Sequence, residues 1–305
     1  MPSRRIQPSR AGKRQSSHGA SEAAPADAGS DLAGKLVPSL AAVWAELGAD
    51  TPAPLTDAAT AGAPLPPFPP LLTPAPPPPP TADGSATPSA WYARSRAYWA
   101  RQAPTVDGML GGLGHLSPAD VQDSHRFLDA LGDAVDYSGA ALDVGAGIGR
   151  VSVHVLAPRF AAVDIVEPIP AYAAVARRSV PGGKLRTAYV CGMENVRIPA
   201  AVRYAVVWVQ WCAIYLTDGD LVAFLRRAAA SLLPTGVVVV KDNIAADAFA
   251  LDTSDNSVMR SDAYMRSLFA RAGLDVVAAA TQQTFDASLF RVEMYALTPQ
   301  SRGAA

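Results

Sequence analysis

A glycine-rich turn and a carboxylate stand in a spacing that suits the binding of a nucleoside. Residues 145–149 read Gly-Ala-Gly-Ile-Gly after the apolar run 140–144, and Glu167 closes a second mostly apolar run, 161–166. Glycines let the backbone approach a ligand where a Cβ atom would clash, and a carboxylate can accept hydrogen bonds from both ribose hydroxyls. A strand, a glycine turn, a helix and a strand ending in an acid make up a nucleoside-binding α/β unit.

The spacing of these glycines distinguishes two cofactor classes. The turn reads G-x-G-x-G, whereas dinucleotide binders show G-x-G-x-x-G. We therefore expect S-adenosylmethionine, which has no pyrophosphate to place on a helix N-terminus, in preference to NAD. A tight turn without a ligand is the alternative interpretation of the same glycines.

The first 90 of the 305 residues differ in composition from the rest. Residues 52–90 contain 14 of the 27 prolines, which predicts an extended linker. Residues 1–21 carry five basic residues and no acid; we favour a disordered basic arm over a transit peptide or a nuclear-import patch. Apolar residues at helical spacing are compatible with one short helix over 36–47 that docks on the body of the protein. We expect 1–90 to be a disordered extension and 91–305 to be the folded domain.

Charge, hydropathy and cysteine usage narrow the function classes. The net charge is −1, and residues 91–305 carry 20 basic and 20 acidic residues, so nucleic acid is not an expected partner. No run of 18 apolar residues is present, and we expect no membrane association. Cys191 and Cys212 lie in or beside apolar runs, which predicts small core residues and neither a disulfide nor a metal site.

Strand and helix patterns alternate after the glycine turn. Further strands are predicted near 186–190, 204–210 and 236–241, and helices near 170–179, 218–232 and 261–272. The last two strands, 274–281 and 290–297, have only a short connection and are expected to pair antiparallel. The pattern predicts an α/β, Rossmann-like class I S-adenosylmethionine-dependent methyltransferase fold. Its sheet is mostly parallel and seven-stranded with an antiparallel last strand, and a helical cap over 91–132 precedes it.

Three longer segments carry a resemblance to a known family. They are WYARSRAYWARQAPTVDGMLGGLGHLSPADVQDSHRFL at 91–128, VQWCAIYLTDGDLVAFLRR at 209–227 and KDNIAADAFALDTSDNSVMRSD at 241–262. Over about residues 91–298 the chain resembles the eukaryotic protein α-N-terminal methyltransferases, which methylate the free α-amino group of chains beginning X-Pro-Lys. The T-V-D-G-M-L-G-G-x-G-H and L-D-x-x-D-x-S-V-x-R runs are not general methyltransferase features.

The resemblance implies a set of cofactor-binding residues. Glycines 145, 147 and 149 would line the methionine and ribose side, Arg150 would pair with the methionine carboxylate, and Glu167 would take the ribose. Met193 and Glu194 would lie along the adenine, and Gln210 would complete the pocket. By position these residues are Gly145, Gly147, Gly149, Arg150, Glu167, Met193, Glu194 and Gln210.

The resemblance also implies a substrate channel. Trp99, Trp211 and Asn243 match its residues: an aromatic wall would pack on the proline and the amide would fix the peptide backbone. Asp252 and Asp255 match the acidic pair that reads the lysine at position three. A solvated acidic loop is the alternative interpretation of the two aspartates.

One position departs from the human-type members of the family. Their histidine, which helps to accept the proton of the amine, is replaced here by Tyr215 in Ile-Tyr-Leu-Thr-Asp, a form similar to that of some protist members. The identity of the base is therefore open between Tyr215 and Asp255, and Asn243 is the third expected catalytic residue. Little base strength is needed, because an α-amine titrates near pKa 7.7–8.0 and is partly neutral at pH 7.

The function implied by the resemblance is methyl transfer from S-adenosylmethionine to protein N-termini of the X-Pro-Lys type. A small-molecule methyltransferase of the same fold and a silent protein that only binds N-termini are the alternatives. We expect protein substrates, a monomer, and a cytoplasmic or nuclear location, with organelle targeting as another interpretation of the basic, Ser-rich N-terminus.

Overall fold

The computed structural model describes residues 28–37, 39–46 and 88–300. Its helices are α1 (Leu40–Glu46), α2 (Pro88–Trp99), α3 (Val106–Met109), α4 (Ser117–Leu131), α5 (Pro170–Ser179), α6 (Asp218–Ala230) and α7 (Asp262–Arg271). Its strands are β1 (Gly29–Asp31), β2 (Leu36–Val37), β3 (Ala140–Val144), β4 (Ala162–Val166), β5 (Leu185–Tyr189), β6 (Tyr204–Gln210), β7 (Leu232–Ile244), β8 (Phe249–Asp252), β9 (Ser257–Arg260), β10 (Leu274–Thr281) and β11 (Arg291–Pro299). None of the helices in these ranges is long and apolar enough to cross a membrane.

Seven strands form the body of the sheet, in the order β5-β4-β3-β6-β7-β11-β10. Strands β3 to β7 pair in parallel, and β11 runs antiparallel to both β7 and β10. Helices α2, α3 and α4 precede β3 and form the cap. The predicted fold class, a Rossmann-like sheet with an antiparallel last strand and an N-terminal helical cap, is confirmed.

Local sequence explains the central elements. Residues 237–240 are four consecutive buried valines in β7, and β-branched residues favour a strand covered on both faces. Helix α6 begins after Thr217, whose side chain accepts a hydrogen bond from the amide of Asp220. Helix α5 begins at Pro170, a residue that suits the first helical turn because it has no N–H to satisfy. The predicted helix at 170–179 and strands at 204–210 and 274–281 are observed over the same residues.

The strand register brings four loops to one edge of the sheet. Val144 pairs with Val166 and with Val209, and Gln210 pairs with Lys241, so these strands end level with one another. Ligands of open α/β sheets bind outside the carboxyl ends of the strands. The glycine turn, Glu167 and the residues after β6 and β7 therefore meet at the edge where a ligand is expected.

The sheet continues beyond the predicted seven strands. Strands β2, β1, β8 and β9 extend it in that order, and β9 joins β7 through the pair Ile244–Arg260. The segment 241–262, for which no strand beyond 241 is predicted, contains the antiparallel hairpin of β8 and β9. Each of these strands has four residues or fewer, too short for an alternating pattern to identify in the sequence.

The N-terminal extension is more ordered than its composition predicts. The short helix expected over 36–47 is present over 40–46 as α1, whereas residues 36–37 form strand β2. Strand β1 is also structured, so the expectation of disorder is wrong for residues 28–37 and 39–46. Leu40 and Trp44 lie four residues apart on one face of α1, and each is only 1% exposed. Burial of this apolar face explains the order. The predicted basic arm and proline-rich linker lie outside the described residues.

Candidate active site

The glycine turn adopts a backbone that requires glycine. Gly145, Gly147 and Gly149 have φ angles of 70°, 56° and 83°, in the left-handed region that other residues rarely occupy. A Cβ atom at Gly145 would lie 2.7 Å from Cβ of Cys212, and one at Gly149 would lie 3.1 Å from Cα of Ala176. The turn therefore packs directly against the segment that follows β6, which brings the two halves of the site together.

Glu167 is a buried carboxylate beside this turn. It is 4% exposed, and its two oxygens accept hydrogen bonds from the amides of Gly147 (2.8 Å) and Ile169 (2.8 Å). Burial raises its pKa to about 7; the two amides oppose this shift and the nearby Asp143 adds to it. Glu167 thus fixes the glycine turn and supplies acceptor oxygens where a ribose would bind.

Arg150 and Gln210 meet on a carboxylate that sequence analysis missed. Asp120 of α4 is fully buried and accepts hydrogen bonds from Arg150 Nη1 (2.6 Å) and Gln210 Nε2 (2.9 Å). Lys241 Nζ, also fully buried, lies 2.6 Å from its other oxygen. These cations hold the pKa of Asp120 below its usual range despite its burial. The side-chain oxygen of Gln210, Oε1, accepts a hydrogen bond from Trp208 Nε1 at 2.9 Å, so both the oxygen and the nitrogen of its side-chain amide are hydrogen-bonded.

The predicted role of Arg150 must fit this network. One guanidinium nitrogen is committed to Asp120, and the guanidinium carbon lies 5.5 Å from the Trp211 ring centre. A methionine carboxylate would pair with the remaining donors of an arginine already held in place by Asp120. Gln210 supports that arginine through the same carboxylate. No sequence pattern indicates this arrangement, because Asp120 and Gln210 are 90 residues apart.

Met193 and Glu194, the residues expected along the adenine, are held by two arginines. Met193 is buried, and the carbonyl oxygens of both residues accept hydrogen bonds from Arg227 Nη2 at 3.0 Å. The Glu194 side chain forms an ion pair with Arg96 of α2. Burial raises the pKa of Glu194, and Arg96 opposes the rise. The helical cap is thereby tied to the segment that is expected to line the adenine.

The residues fit S-adenosylmethionine as a ligand. The glycine turn leaves a cradle that side chains would fill, and a buried carboxylate at the end of β4 offers acceptors to a ribose. Arg150 would pair with the methionine carboxylate at one end, and Met193 and Glu194 would lie along the adenine at the other. Within the described residues, no group of side chains could hold a metal ion.

Tyr215 and Asp255 form a hydrogen-bonded pair on the substrate side. Tyr215 OH donates to Asp255 Oδ2 at 3.0 Å, and the buried Oδ1 has no partner among the described residues. Burial raises the pKa of Asp255, and the charge of Asp252 adds to the rise. Burial and the charge of Asp255 likewise raise the pKa of Tyr215 well above its usual value. Tyr215 therefore acts as a donor to the carboxylate, and Asp255 is the better proton acceptor of the two.

Aromatic side chains of α2 line the same space. Trp99 lies edge-to-face on Tyr215, with 6.1 Å between ring centres. Burial raises the pKa of Tyr98 on the same helix, and the charges of Asp255 and Asp252 add to the rise. Asp252 Oδ1 also accepts a hydrogen bond from the amide of Ser254, at 2.8 Å. Asp255 thus lies, through Tyr215, beside Trp99, one of the two tryptophans of the predicted aromatic wall.

Trp211 is held in an unusual backbone conformation. Its φ is 52°, and its amide donates to the carbonyl of Lys241 at 2.9 Å. Its ring stacks on Phe285, at 6.5 Å between centres and 19° between planes. A left-handed conformation in a bulky residue points to a functional constraint. Phe285, in the connection between β10 and β11, was not predicted.

Asn243 lies at the end of β7 beside a second missed carboxylate. Asp242 is 1% exposed, its Oδ1 accepts from the amide of Asn243 at 3.0 Å, and its Oδ2 has no partner among the described residues. Burial raises the pKa of Asp242 to about 7. The available sequence signal for Asp242 was the charged pair Lys241-Asp242 directly after four valines, where a core strand would otherwise end in apolar residues.

Comparison with known proteins shows which enzymes this chain is similar to. An α-N-terminal protein methyltransferase 1 of Arabidopsis thaliana is 40% identical over 219 residues, covering 68% of this chain and 79% of the relative. The human N-terminal Xaa-Pro-Lys N-methyltransferase 1 is 37% identical over 212 residues, covering 68% of this chain and 95% of the relative. A solved S-adenosylmethionine-dependent methyltransferase from Leishmania major superposes with a TM-score of 0.73 and 30% identity, covering 92% of this chain and all of that one.

A sequence profile of the family described as AdoMet dependent proline di-methyltransferase matches residues 87–298. The match includes every predicted site residue and begins after the segment 28–46. The matched span exceeds two thirds of the chain. The chain therefore belongs to this family of S-adenosylmethionine-dependent methyltransferases.

Proposed function

We propose that this protein transfers methyl groups from S-adenosylmethionine to the free α-amino group of proteins that begin X-Pro-Lys. The observation that carries the proposal is the hydrogen bond from Tyr215 to Asp255 beside the ring of Trp99, in a segment whose Cys212 packs on the glycine turn. A lysine side chain suits two carboxylates, and a proline ring suits an aromatic wall. The relatives named above as acting on Xaa-Pro-Lys N-termini support it.

The bound cofactor supplies an electrophilic methyl group on a sulfonium. The work of the chain is alignment, since holding the amine in line with that methyl group supplies much of the available rate gain. Trp99 and Trp211 would hold the proline, and Asn243 would hold the peptide backbone. The Gly145 turn packs on Cys212, one residue after Trp211, so the peptide channel opens directly onto the cofactor cradle.

Asp255 would accept the proton released on the amine side. Its pKa is raised by burial, which brings a carboxylate closer to the pH at which an α-amine is partly neutral. Tyr215 would hold Asp255 through its hydroxyl, which replaces the histidine of the human-type enzymes. Desolvating a neutral amine costs far less than desolvating an ammonium, so the channel favours the reactive form.

A peptide-methylation assay with a labelled methyl donor tests the proposal. A free X-Pro-Lys peptide should be methylated, its N-acetylated form should not, and replacing lysine by glutamine should cost roughly 2–5 kcal/mol of transition-state binding. Asp252→Asn should lose activity on the lysine peptide while affecting the glutamine peptide little. Equal activity of the wild type on the lysine and glutamine peptides would exclude the X-Pro-Lys assignment. Cofactor binding without methylation of any such peptide would favour the silent binding protein.

We further propose that the enzyme acts as a monomer in the cytoplasm or nucleus. The balanced charge of residues 91–305 supports peptide ends and not nucleic acid as partners. Sedimentation of the purified chain at several concentrations tests the oligomeric state, and a fluorescent fusion in cells tests the compartment.

A further inference from the structure

The segment that precedes the family match packs against the substrate side of the site. This N-terminal strap consists of residues 28–37 and 39–46. Its strand β1 pairs in parallel with β8, matching Ser30 to Ala250, and the amide of Leu32 donates to the carbonyl of Leu251 at 3.1 Å. Strand β8 ends at Asp252. The strap is therefore hydrogen-bonded to the strand that presents one of the two lysine-reading aspartates.

The packing between β1 and β8 is close. A Cβ atom at Gly29 would lie 2.4 Å from the carbonyl oxygen of Phe249, so only glycine fits this position without a shift. Phe249 itself is 1% exposed. Strand β1 is thus closely packed on a buried residue of β8.

The helix of the strap reaches the other lysine-reading aspartate through two tryptophans. The buried Trp44 lies edge-to-face on Trp91, at 5.1 Å between ring centres. Trp91 Nε1 donates to the carbonyl of Tyr215 at 2.7 Å, and the Trp91 carbonyl accepts from Asn256 Nδ2 at 3.2 Å. Tyr215 holds Asp255, and Asn256 is the next residue after it. Trp91 therefore bridges Tyr215 and the turn that carries Asp255.

A second route from Trp44 passes through a buried ion pair. Trp44 Nε1 donates to Asp218 Oδ2 at 3.2 Å, and Asp218 Oδ1 accepts from Arg260 Nε at 2.8 Å. Arg260 Nη2 donates to the carbonyl of Leu216, next to Tyr215, at 2.7 Å. Arg260 is the last residue of β9, so the ion pair fixes the far end of the hairpin.

The hairpin needs this support. Strands β8 and β9 have four residues each, and their link to the body of the sheet is the pair Ile244–Arg260 at the end of β7. An isolated two-stranded hairpin is at best marginally stable in water. Asn256, in the turn between the strands, also has a left-handed φ of 57°, a conformation that surrounding contacts must maintain.

We propose that the N-terminal strap is a positioning element of the peptide site, with Trp44 as its central positioning residue. Strand β1 and Trp44 hold the β8–β9 turn so that Asp252 and Asp255 face the third residue of the peptide. This inference rests on the proposed function. In the described ranges, no hydrogen bond or ring contact joins the strap to residues 145–149 or to Glu167. Disturbing the strap therefore weakens peptide reading and leaves cofactor binding in place.

Two variants of the full chain disturb the strap at different points. Trp44→Phe keeps an aromatic ring and removes the N–H donor to Asp218. Leu32→Pro removes the amide that donates to Leu251 at a residue whose side chain is exposed. Phe160→Leu is the matched control: Phe160 is fully buried in the core cluster on the other side of the sheet, so the change lowers stability without touching the strap.

Kinetics on lysine and glutamine peptides decide between positioning and general stability. Both strap variants should raise KM for the X-Pro-Lys peptide by about 3- to 30-fold, the range for changes transmitted through a contact network. They should also lower the ratio of lysine to glutamine activity, with kcat less affected. The rise in melting temperature caused by S-adenosylhomocysteine should match that of the wild type. Trp44→Ala should raise KM and lower the ratio of lysine to glutamine activity more than Trp44→Phe does. Unchanged KM and ratio, or equal losses in Phe160→Leu, would overturn the proposal.

Hydrogen exchange separates a failure of the inference from a failure of the proposed function. Amides of residues 249–256 should exchange faster in Leu32→Pro and Trp44→Phe than in the wild type or in Phe160→Leu. If the wild type methylates no X-Pro-Lys peptide, the proposed function and the peptide-reading role fall together. Faster exchange in the two strap variants would then still show that the strap stabilises the β8–β9 hairpin. Unchanged exchange would reject that role as well.

Discussion

At the scale of single residues, burial raises the pKa of three carboxyl groups in and beside this site. The pKa of Glu167 is raised to about 7, as is that of Asp242, while Asp143 is raised to about 6. A carboxyl whose folded-state pKa is raised stabilises the fold fully below its unfolded pKa, and this contribution is lost as the pH rises through the folded value. These three groups therefore stabilise the folded protein most at acidic pH, and this stabilisation falls as the pH rises through about 6 for Asp143 and about 7 for Glu167 and Asp242.

Cofactor affinity should depend on pH through Glu167. Only the ionised carboxylate can accept from both ribose hydroxyls, and a pKa of about 7 leaves roughly a tenth of the group ionised at pH 6. We expect the affinity for S-adenosylhomocysteine, measured by calorimetry, to rise about tenfold from pH 6 to pH 8. Glu167→Gln should bind weakly at both pH values and lose this dependence. The same slope in wild type and variant would remove Glu167 from the ribose site.

Tyr215 should tune the proton acceptor without being one. Its hydroxyl donates to Asp255 and thereby lowers the pKa of that carboxyl against the effect of burial. Tyr215→Phe should therefore raise the pKa of Asp255 and move the acidic limb of the kcat–pH profile to higher pH. Asp255→Asn should lose turnover even at saturating peptide, whereas a residue used only for binding would mainly raise KM.

A tyrosine remote from the site provides the control for this prediction. Tyr137 OH donates to the carbonyl of Leu128 behind the sheet, so Tyr137→Phe should leave the pH profile unchanged. A kcat–pH profile of Tyr215→Phe identical to that of the wild type would show that Tyr215 has no influence on the pKa of the proton acceptor. Retained turnover in Asp255→Asn would assign the proton to another group.

At the scale of elements, helix α4 is anchored to the sheet by charges inside the core. Asp120 on α4 receives Lys241 from β7 and Arg150 from the helix after the glycine turn. A buried ion pair contributes modestly overall, because desolvation offsets the attraction, but removing one partner leaves an uncompensated charge. The network therefore specifies where the cap sits relative to the cofactor cradle.

Loss of the buried carboxylate should be far more costly than loss of an exposed one. We expect Asp120→Asn to destabilise the protein by about 3–5 kcal/mol in urea unfolding, because Lys241 and Arg150 lose their counter-charge. Asp129→Asn is the matched variant on the same helix. Asp129 is 63% exposed in its pair with Arg159, and its loss should cost less than about 1 kcal/mol. Similar losses of unfolding free energy in the two variants would show that the buried ion pairs of Asp120 stabilise the protein no more than an exposed pair does.

Sequence patterns predicted the elements that depend on local spacing. The buried strand 204–210 and the strand 274–281 were predicted over the residues observed, and so was helix α5. The hairpin of β8 and β9 was not predicted, because its short strands are stabilised by pairing with a segment more than 200 residues away. The contact of Asp120 with Lys241 was missed for the same reason, since the two positions are 121 residues apart. Within the site, motifs located the residues, but which carboxylate receives which donor depends on tertiary packing.

At the scale of the whole molecule, the N-terminal strap changes the definition of the folded unit. Composition predicts that the folded domain begins at residue 91, because a proline-rich linker buries little surface. The strap contradicts this boundary, because its Leu40 and Trp44 belong to the same core cluster as β6 and β7. The folded unit thus includes a segment separated from the domain by the proline-rich sequence.

Two truncations should therefore differ sharply in stability. A chain that begins at residue 28 keeps the strap, and its melting temperature should match that of the full chain, since a basic, Ser-rich arm offers little apolar surface. A chain that begins at residue 47 loses Trp44 from the core and the donor to Asp218. Truncating a buried tryptophan costs about 3–5 kcal/mol, which corresponds to a drop of about 10 °C for a domain of this size. Thermal unfolding followed by circular dichroism measures both chains under one condition. Equal melting temperatures would mean that the strap adds nothing to the stability of the domain, and a lower value already for the chain from residue 28 would place a stabilising contact within residues 1–27.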